Sequence, residues 1–175
     1  MKRILVIAGA MLLGACGHRE DTRTPAALGT LMLPSSAPWL IVAPGPTTLK
    51  VRGLDPSVEL APTPPVASAL EAQLRSVVQA AYLPNLTIAC ESPDVQMRVN
   101  ADAAPDAATL ELAVHCSVNA AGFVSSRSYR ATPSVSVKAG SDAPAYASAL
   151  AALLHAAGQT VGAQLATDVR AGSKR

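Results

Sequence analysis

Three cysteines and three histidines are the side chains in this 175-residue sequence best suited to forming bonds or moving protons. Cys16 has the most specific surroundings. It follows Leu13, Gly14 and Ala15, small or apolar neighbours that leave its peptide bond open to a peptidase and its thiol open to an acyl donor. Cys90 and Cys116 fall on the apolar phase of two alternating runs, Leu86-Ile88-Cys90 and Leu110-Leu112-Val114-Cys116-Val118. Two readings stand for that pair. One is a disulfide, with a chain-entropy contribution of about 3.5 kcal/mol for a loop of this size. The other is two reduced cysteines acting as small hydrophobes.

The remaining polar groups are scattered. Glu111 and His115 share a strand face, but four strand residues hold them about 13 Å apart, too far to chelate one ion unaided. Arg98, Arg127 and Arg130 read either as a partner-binding patch on a sheet or as a solvated face. His155 reads as a solvated helix residue and His18 as part of a polar tether. The sequence holds no Gly-x-Ser-x-Gly, Walker loop, dinucleotide fingerprint or His-Glu-x-x-His. None of its residues is therefore nominated as catalytic, cofactor-binding or metal-ligating.

The segment leading to Cys16 has the order of a secretion signal. Lys2 and Arg3 precede an apolar run from Ile4 to Ala15. That run is well short of the roughly 20 residues a membrane span needs. Leu13-Gly14-Ala15-Cys16 resembles the lipobox of bacterial lipoproteins, in which the Cys thiol is acylated and becomes the first mature residue. The resemblance implies a signal peptide over residues 1–15 and a covalent lipid on Cys16 as the membrane anchor. Gly17, not Asp, follows the cysteine, which in such lipoproteins directs the chain to the outer membrane, facing the periplasm. Lipidation of Cys16 would leave Cys90 and Cys116 as an even pair in an oxidising compartment.

Composition narrows the classes further. Thirty-five residues are alanine and five are aromatic, so the core has to be thin and closely approached. Removing Lys2 and Arg3 from the 14 basic residues leaves 12 against 12 acidic ones, a formal charge of zero. A balanced surface with so few rings offers neither the basic stripe nor the stacking platforms of a nucleic-acid binder.

The elements that must carry these residues are legible from period and punctuation. Residues 16–30 read as a lipidated tether, and residues 31–175 as one periplasmic domain. Nine of 14 prolines fall at or before Pro65, so this third should be extended segments and turns. Leu31–Leu33, Leu40–Val42 and Thr47–Arg52 are its short strand candidates. Thr63 with Pro64 and Pro65 marks a helix start. Val66, Leu70, Leu74, Val77 and Ala81 should face inward, with Ser68, Glu71, Arg75 and Gln79 on the exposed side. Strands follow at Leu86–Cys90, Val95–Asn100, Leu110–Val118, Phe123–Ala131 and Val135–Val137, with 102–108 as a turn, in the pattern of an antiparallel meander.

A long helix from Ala143 to Arg170 should bury Tyr146, Leu150, Leu153, Leu154, Ala157, Val161, Leu165 and Val169. Its Gly158 and Gly162 each cost about 1 kcal/mol against alanine, which points to close packing on the sheet or on another chain. The expected class is α+β: a small, mostly antiparallel sheet covered by two helices, the longer one C-terminal.

This order resembles the PqiC-like auxiliary lipoproteins of ABC-type transport, which accompany MCE lipid-transport proteins. Leu31-Met32-Leu33-Pro34 sits where that family has an aromatic-x-Leu-Pro segment, here without the aromatic. Leu49-Lys50-Val51-Arg52-Gly53-Leu54-Asp55-Pro56, Ala69–Arg75 and Ala149–Val169 resemble its strand and turn, first helix and closing helix. The resemblance implies a non-enzymatic accessory subunit, an MCE-type partner and assembly into a homo-oligomer. Two other readings in the same compartment are a lipopolysaccharide-assembly lipoprotein partnering an outer-membrane barrel, and a lipid-anchored periplasmic enzyme or inhibitor. Cys16→Ser is expected to leave the chain unprocessed and unlipidated; normal cleavage and membrane release of the variant in a pulse-label experiment would refute the lipobox reading.

Overall fold

The computed structural model describes residues 23–32, 39–100, 106–120, 122–138 and 140–172. Cys16, His18, the segment before them, Leu33 and residues 101–105 lie outside these. One strand organises the rest. β7, Ala107–Ala120, buries Ala108, Leu110, Leu112, Val114, Cys116, Val118 and Ala120 on one face. Alternation with period two follows from the pleat, which sends successive side chains to opposite faces.

Both edges of β7 are paired. On one edge, β5 (Thr87–Cys90) and β6 (Asp94–Asn100) run antiparallel to it in succession. Cys90 lies opposite Cys116 and Asp94 opposite Ala113, so four steps on one strand match three on the other. The extra residue is a bulge beside Pro93. On the other edge lie β8 (Phe123–Ala131) and β9 (Ser134–Ser136). Their register is continuous, from Ala120 opposite Phe123 to Ala107 opposite Ser136, so Pro133 breaks the strand without shifting it. Gly122, at φ 85°, supplies the left-handed conformation of the intervening turn. The predicted meander is corrected in part: β6, β7 and β8 follow it, but β5 and β6 share one edge of β7 and β8 and β9 the other, so the five expected strands take three positions.

The sheet continues past β5 and β6 with parallel neighbours, β2 (Leu40–Val42) on β5 and β3 (Leu49–Arg52) on β6. β4 (Val58–Thr63) is antiparallel to β3, and β1 (Thr24–Ala27) is parallel to β4. The result among the described residues is a mixed nine-stranded sheet. Helices α1 (Val66–Val78) and α2 (Ala143–Gly172) cover its apolar face, so the α+β class and the longer C-terminal helix stand.

Three local expectations are corrected. The tether does not run to residue 30: Thr24–Ala27 is a sheet strand, and Leu28 is fully buried with its N–H donated to Thr63 O. Leu31 ends a 3-10 turn, Gly29–Leu31, and does not begin a strand. Pro65, not Thr63, is the residue preceding α1, and it offers no side-chain cap. β1 and β4 escape sequence reading because proline interrupts each, at Pro25 and Pro62.

The two helices meet through glycine. A Cβ at Gly158 would lie 2.7 Å from Gln73 Cβ, and one at Gly162 would lie 2.7 Å from Val77 Cβ. The pair therefore packs α2 onto α1, and neither of the expected surfaces, the sheet or a second chain, is what it approaches. The exposed side assigned to α1 is also corrected, because β2 lies against Glu71 and Arg75. Val42 donates its N–H to Glu71 Oε2 at 2.9 Å, and Leu40 O accepts from Arg75 at 2.6 Å. The two side chains bridge each other at 2.8 Å, Arg75 being only 13% exposed. They stand in for a missing neighbouring strand along β2.

Gly162→Ala separates helix propensity from packing. Alanine adds about 1 kcal/mol of intrinsic helix preference, yet Val77 is branched at the atom it would strike. Overpacking of about 2–3 kcal/mol should exceed that gain, and the thermal midpoint should fall by several degrees. A raised midpoint by calorimetry would overturn the close-packing account.

Candidate functional site

Cys90 and Cys116 are joined, with Sγ–Sγ 2.07 Å and Cα–Cα 4.0 Å. The register accounts for the pairing. Glu91 N–H donates to His115 O, so the 91/115 pair is hydrogen-bonded and the 90/116 pair next to it is the close-approach type. Both cysteines are buried against the helices, so the bond staples β5 to β7 beneath the surface.

The opposite face of the sheet carries polar side chains in cross-strand rows. His115 sits between two hydroxyls: Nε2 is 2.8 Å from Ser126 Oγ and Nδ1 is 3.0 Å from Ser128 Oγ. Ser117 Oγ extends this chain to Ser126 at 3.2 Å. In a nucleophile–base pair the second ring nitrogen is ordinarily oriented by a carboxylate. Here a second serine occupies that place, so the arrangement is a polar ladder. Next to it, a basin of about 270 Å³ is lined by Asp94, Gln96, Glu111, Ala113, Arg130 and Thr132. It combines two carboxylates with one guanidinium. Glu111 contributes to the basin while His115 belongs to the serine ladder.

The three arginines do not form one patch. Arg98 pairs across the sheet with Arg52 of β3, setting two cations side by side on the polar face. Arg130 lies in the basin. Arg127 points to the helix side, where it meets Asp168 of α2 at 2.8 Å. Tyr129 Oη donates to the other oxygen of the same carboxylate, also at 2.8 Å. Burial, and then the bond to Asp168 and its negative charge, push the Tyr129 phenol above its ordinary range. This β8–α2 clamp was invisible in the sequence, where Asp168 reads only as a polar residue on a long helix. The two-residue spacing of Arg127 and Tyr129 is the one signal pointing to it, since it puts both on one strand face.

His155 is exposed, yet its Nδ1 lies 2.8 Å from Gln73 Oε1. Gln73, which sequence reading passed over, is 5% exposed and donates to Leu31 O at 2.8 Å. Its amide therefore ties both helices to the 3-10 turn. Among the described residues, no three His, Cys, Asp or Glu side chains gather as a metal site requires. No helix among them is long and apolar enough to cross a membrane.

The backbone is similar to that of a DUF330 protein. That structure, XCC0632 from Xanthomonas campestris, superposes with a TM-score of 0.53 at 17% identity, over 88% of this chain and 96% of the other. A second solved structure, of an uncharacterized protein, matches at TM-score 0.38 and 13% identity over 85% of this chain and 92% of its own. No protein-family model and no curated protein matches the sequence. At 17% identity the likeness to the DUF330 structure speaks for a shared fold.

The clamp has a pH signature. With a folded-state pKa above the unfolded value of about 10, protonated Tyr129 contributes stability that is fully present below pH 10 and lost as the pH rises past it. Tyr129→Phe should remove that part of the alkaline destabilisation. Denaturant unfolding of parent and variant between pH 8 and 12 measures it (about two units either side of the unfolded value), and parallel curves would show that the clamp does not hold the phenol.

Proposed function

We propose that this chain is a lipid-anchored accessory subunit of an ABC/MCE-type envelope lipid-transport system. It is held at the outer membrane by acyl chains on Cys16 and faces the periplasm. It acts by binding an MCE-type transport partner and not by catalysis. The observation that carries the reading is the fold it shares with a DUF330 protein, because DUF330 is the family of PqiC-type ABC auxiliary lipoproteins.

Two features of the chain support it independently. Leu13-Gly14-Ala15-Cys16 has the residues that lipoprotein processing requires. The Cys90–Cys116 bond belongs to an oxidising compartment such as the periplasm. The polar sheet face, broad and lined by short hydroxyl side chains, suits contact with another protein better than enclosure of a small molecule. Assembly of several copies belongs to the same reading.

Affinity purification of the tagged full chain from detergent-solubilised envelope tests the proposal. Co-recovery of an MCE-type protein is the expected result. Recovery of an outer-membrane barrel in its place would overturn it in favour of lipopolysaccharide assembly.

A further inference from the structure

A chain with so few large apolar side chains still leaves some of them in water. Among the described residues these are Met32 (43% exposed), Ile41 (51%), Tyr82 (49%) and Val124 (66%). The first three fall in two segments, residues 24–49 and 76–90, which contain no Asp, Glu, Lys, Arg or His. In a sequence that is 15% charged, two such runs call for a physical reason. The segments lie side by side. β2 pairs with β5, and Trp39 O accepts from Ile88 N–H at 2.7 Å. Trp39, the only tryptophan, meets Tyr82 edge to face with ring centroids 5.5 Å apart. Two of the five rings are thus placed at the surface and not in the core.

The uncharged ground continues across the outer face of the sheet. Register sets Ile41 beside Ala89, Ser117 and Ser126 in one row, and Thr87 beside Asn119 and Val124 in the next. All of these are exposed, and none ionises. Val124 closes the plate on β8, beyond which no described strand lies. From β2 to β8 it is three strand spacings wide, about 14 Å. Glu71 and Arg75, beside β2, are bonded to each other and to its backbone. Asp94, Glu111, Arg98 and Arg130 stand at the other end of the face, past His115. The outer face therefore has an ionised end and an uncharged end, and the exposed Ile41, Tyr82 and Val124 border the latter.

We infer that this uncharged end of the sheet rests on the lipid surface of the membrane, with Trp39 and Tyr82 at the level of the headgroups. The length of the tether argues for it. Fully extended, the chain from Cys16 to Thr24, where β1 begins, reaches about 25–30 Å. A body held that close by acyl chains on Cys16 presents one of its faces to the bilayer. Ionised groups are far more costly to take out of water than hydroxyls or apolar side chains, so the uncharged end is the face that fits. Trp and Tyr suit this level because each joins an apolar ring to one polar group. With no Lys or Arg in the plate, the attraction is to the apolar boundary and does not require anionic lipid. The inference takes the anchor at Cys16 from the proposed function and needs nothing of the transport partner.

A single tryptophan makes the test direct. The full chain is reconstituted in vesicles of phosphatidylcholine with brominated acyl chains, which quench rings lying at the membrane, and in unbrominated vesicles as the reference. Loss of Trp39 emission in the brominated vesicles is expected. Ile41→Glu should abolish most of that loss. Val124→Glu, on the far side of the plate, should do the same, which a disturbance confined to Trp39 would not. Ser134→Glu, an exposed position in the row of Arg98 and Thr109, should leave the quenching unchanged. Circular dichroism confirms that each variant is folded, and either of the first two suffices should the other fail. Undiminished emission of the parent would overturn the inference, as would equal quenching of Ile41→Glu and Ser134→Glu. So would a Trp39 shielded from aqueous iodide, not reached by bromine, in a dimer by sedimentation, which would assign the patch to a second copy. Mass spectrometry of Cys16 reads the anchor separately: an unmodified cysteine with Trp39 quenched by bromine would refute the anchor and leave this surface standing.

Discussion

Everything in this sheet is hung from a strand that must satisfy neighbours on both edges at once. β7 is the longest strand among the described residues, and β5, β6, β8 and β9 all take their register from it. A residue slip along β7 would send Leu110, Leu112, Val114, Cys116 and Val118 to the polar face together, because the side-chain period is two. That penalty is large enough to hold the breaks elsewhere in place. Pro93 and Pro133 each interrupt a neighbouring strand, and in both cases the strand resumes on β7.

The second constraint is closeness. With few rings and many alanines, the layer between sheet and helices is thin, and two helices fit over it only if they approach each other. Gly158 and Gly162 permit that approach by leaving Gln73 and Val77 room that a Cβ would take. Close approach in turn brings polar groups into protected places. Gln73 then satisfies Leu31 O and meets His155, while Glu71 and Arg75 complete the backbone of β2. These groups are partnered because a buried donor or acceptor left alone costs about 1–3 kcal/mol. Arg75 Nε and the Tyr146 hydroxyl are the buried side-chain atoms among the described residues that find no partner.

The two faces of the molecule consequently differ in kind. The helix face is closed by apolar contact, by the glycine seam and by the Tyr129–Asp168–Arg127 clamp. The other face is an open ladder of hydroxyl, imidazole and ionised groups that ends at the free edge of β8.

Period and punctuation alone were enough for the long elements. The alternation of β6, β7 and β8, the stripe of α2, and the inward phase of Cys90 and Cys116 are all local patterns, written in residues close together in the chain. Short strands with proline, such as Val58–Thr63, have no such period and were missed. The pairing of Cys90 with Cys116 needed β5 and β7 to be neighbours, which alternation does not specify. The backbone partner of Glu71 and the partners of Gln73, Arg127 and Asp168 were likewise beyond reach, since each lies 29 or more residues away on another element. Sequence determined which side chains must be buried, because burial follows from the chemistry and period of each segment. Only the tertiary structure decided which buried and polar groups meet and which edge stays open, because those depend on the register and order of strands far apart in the chain.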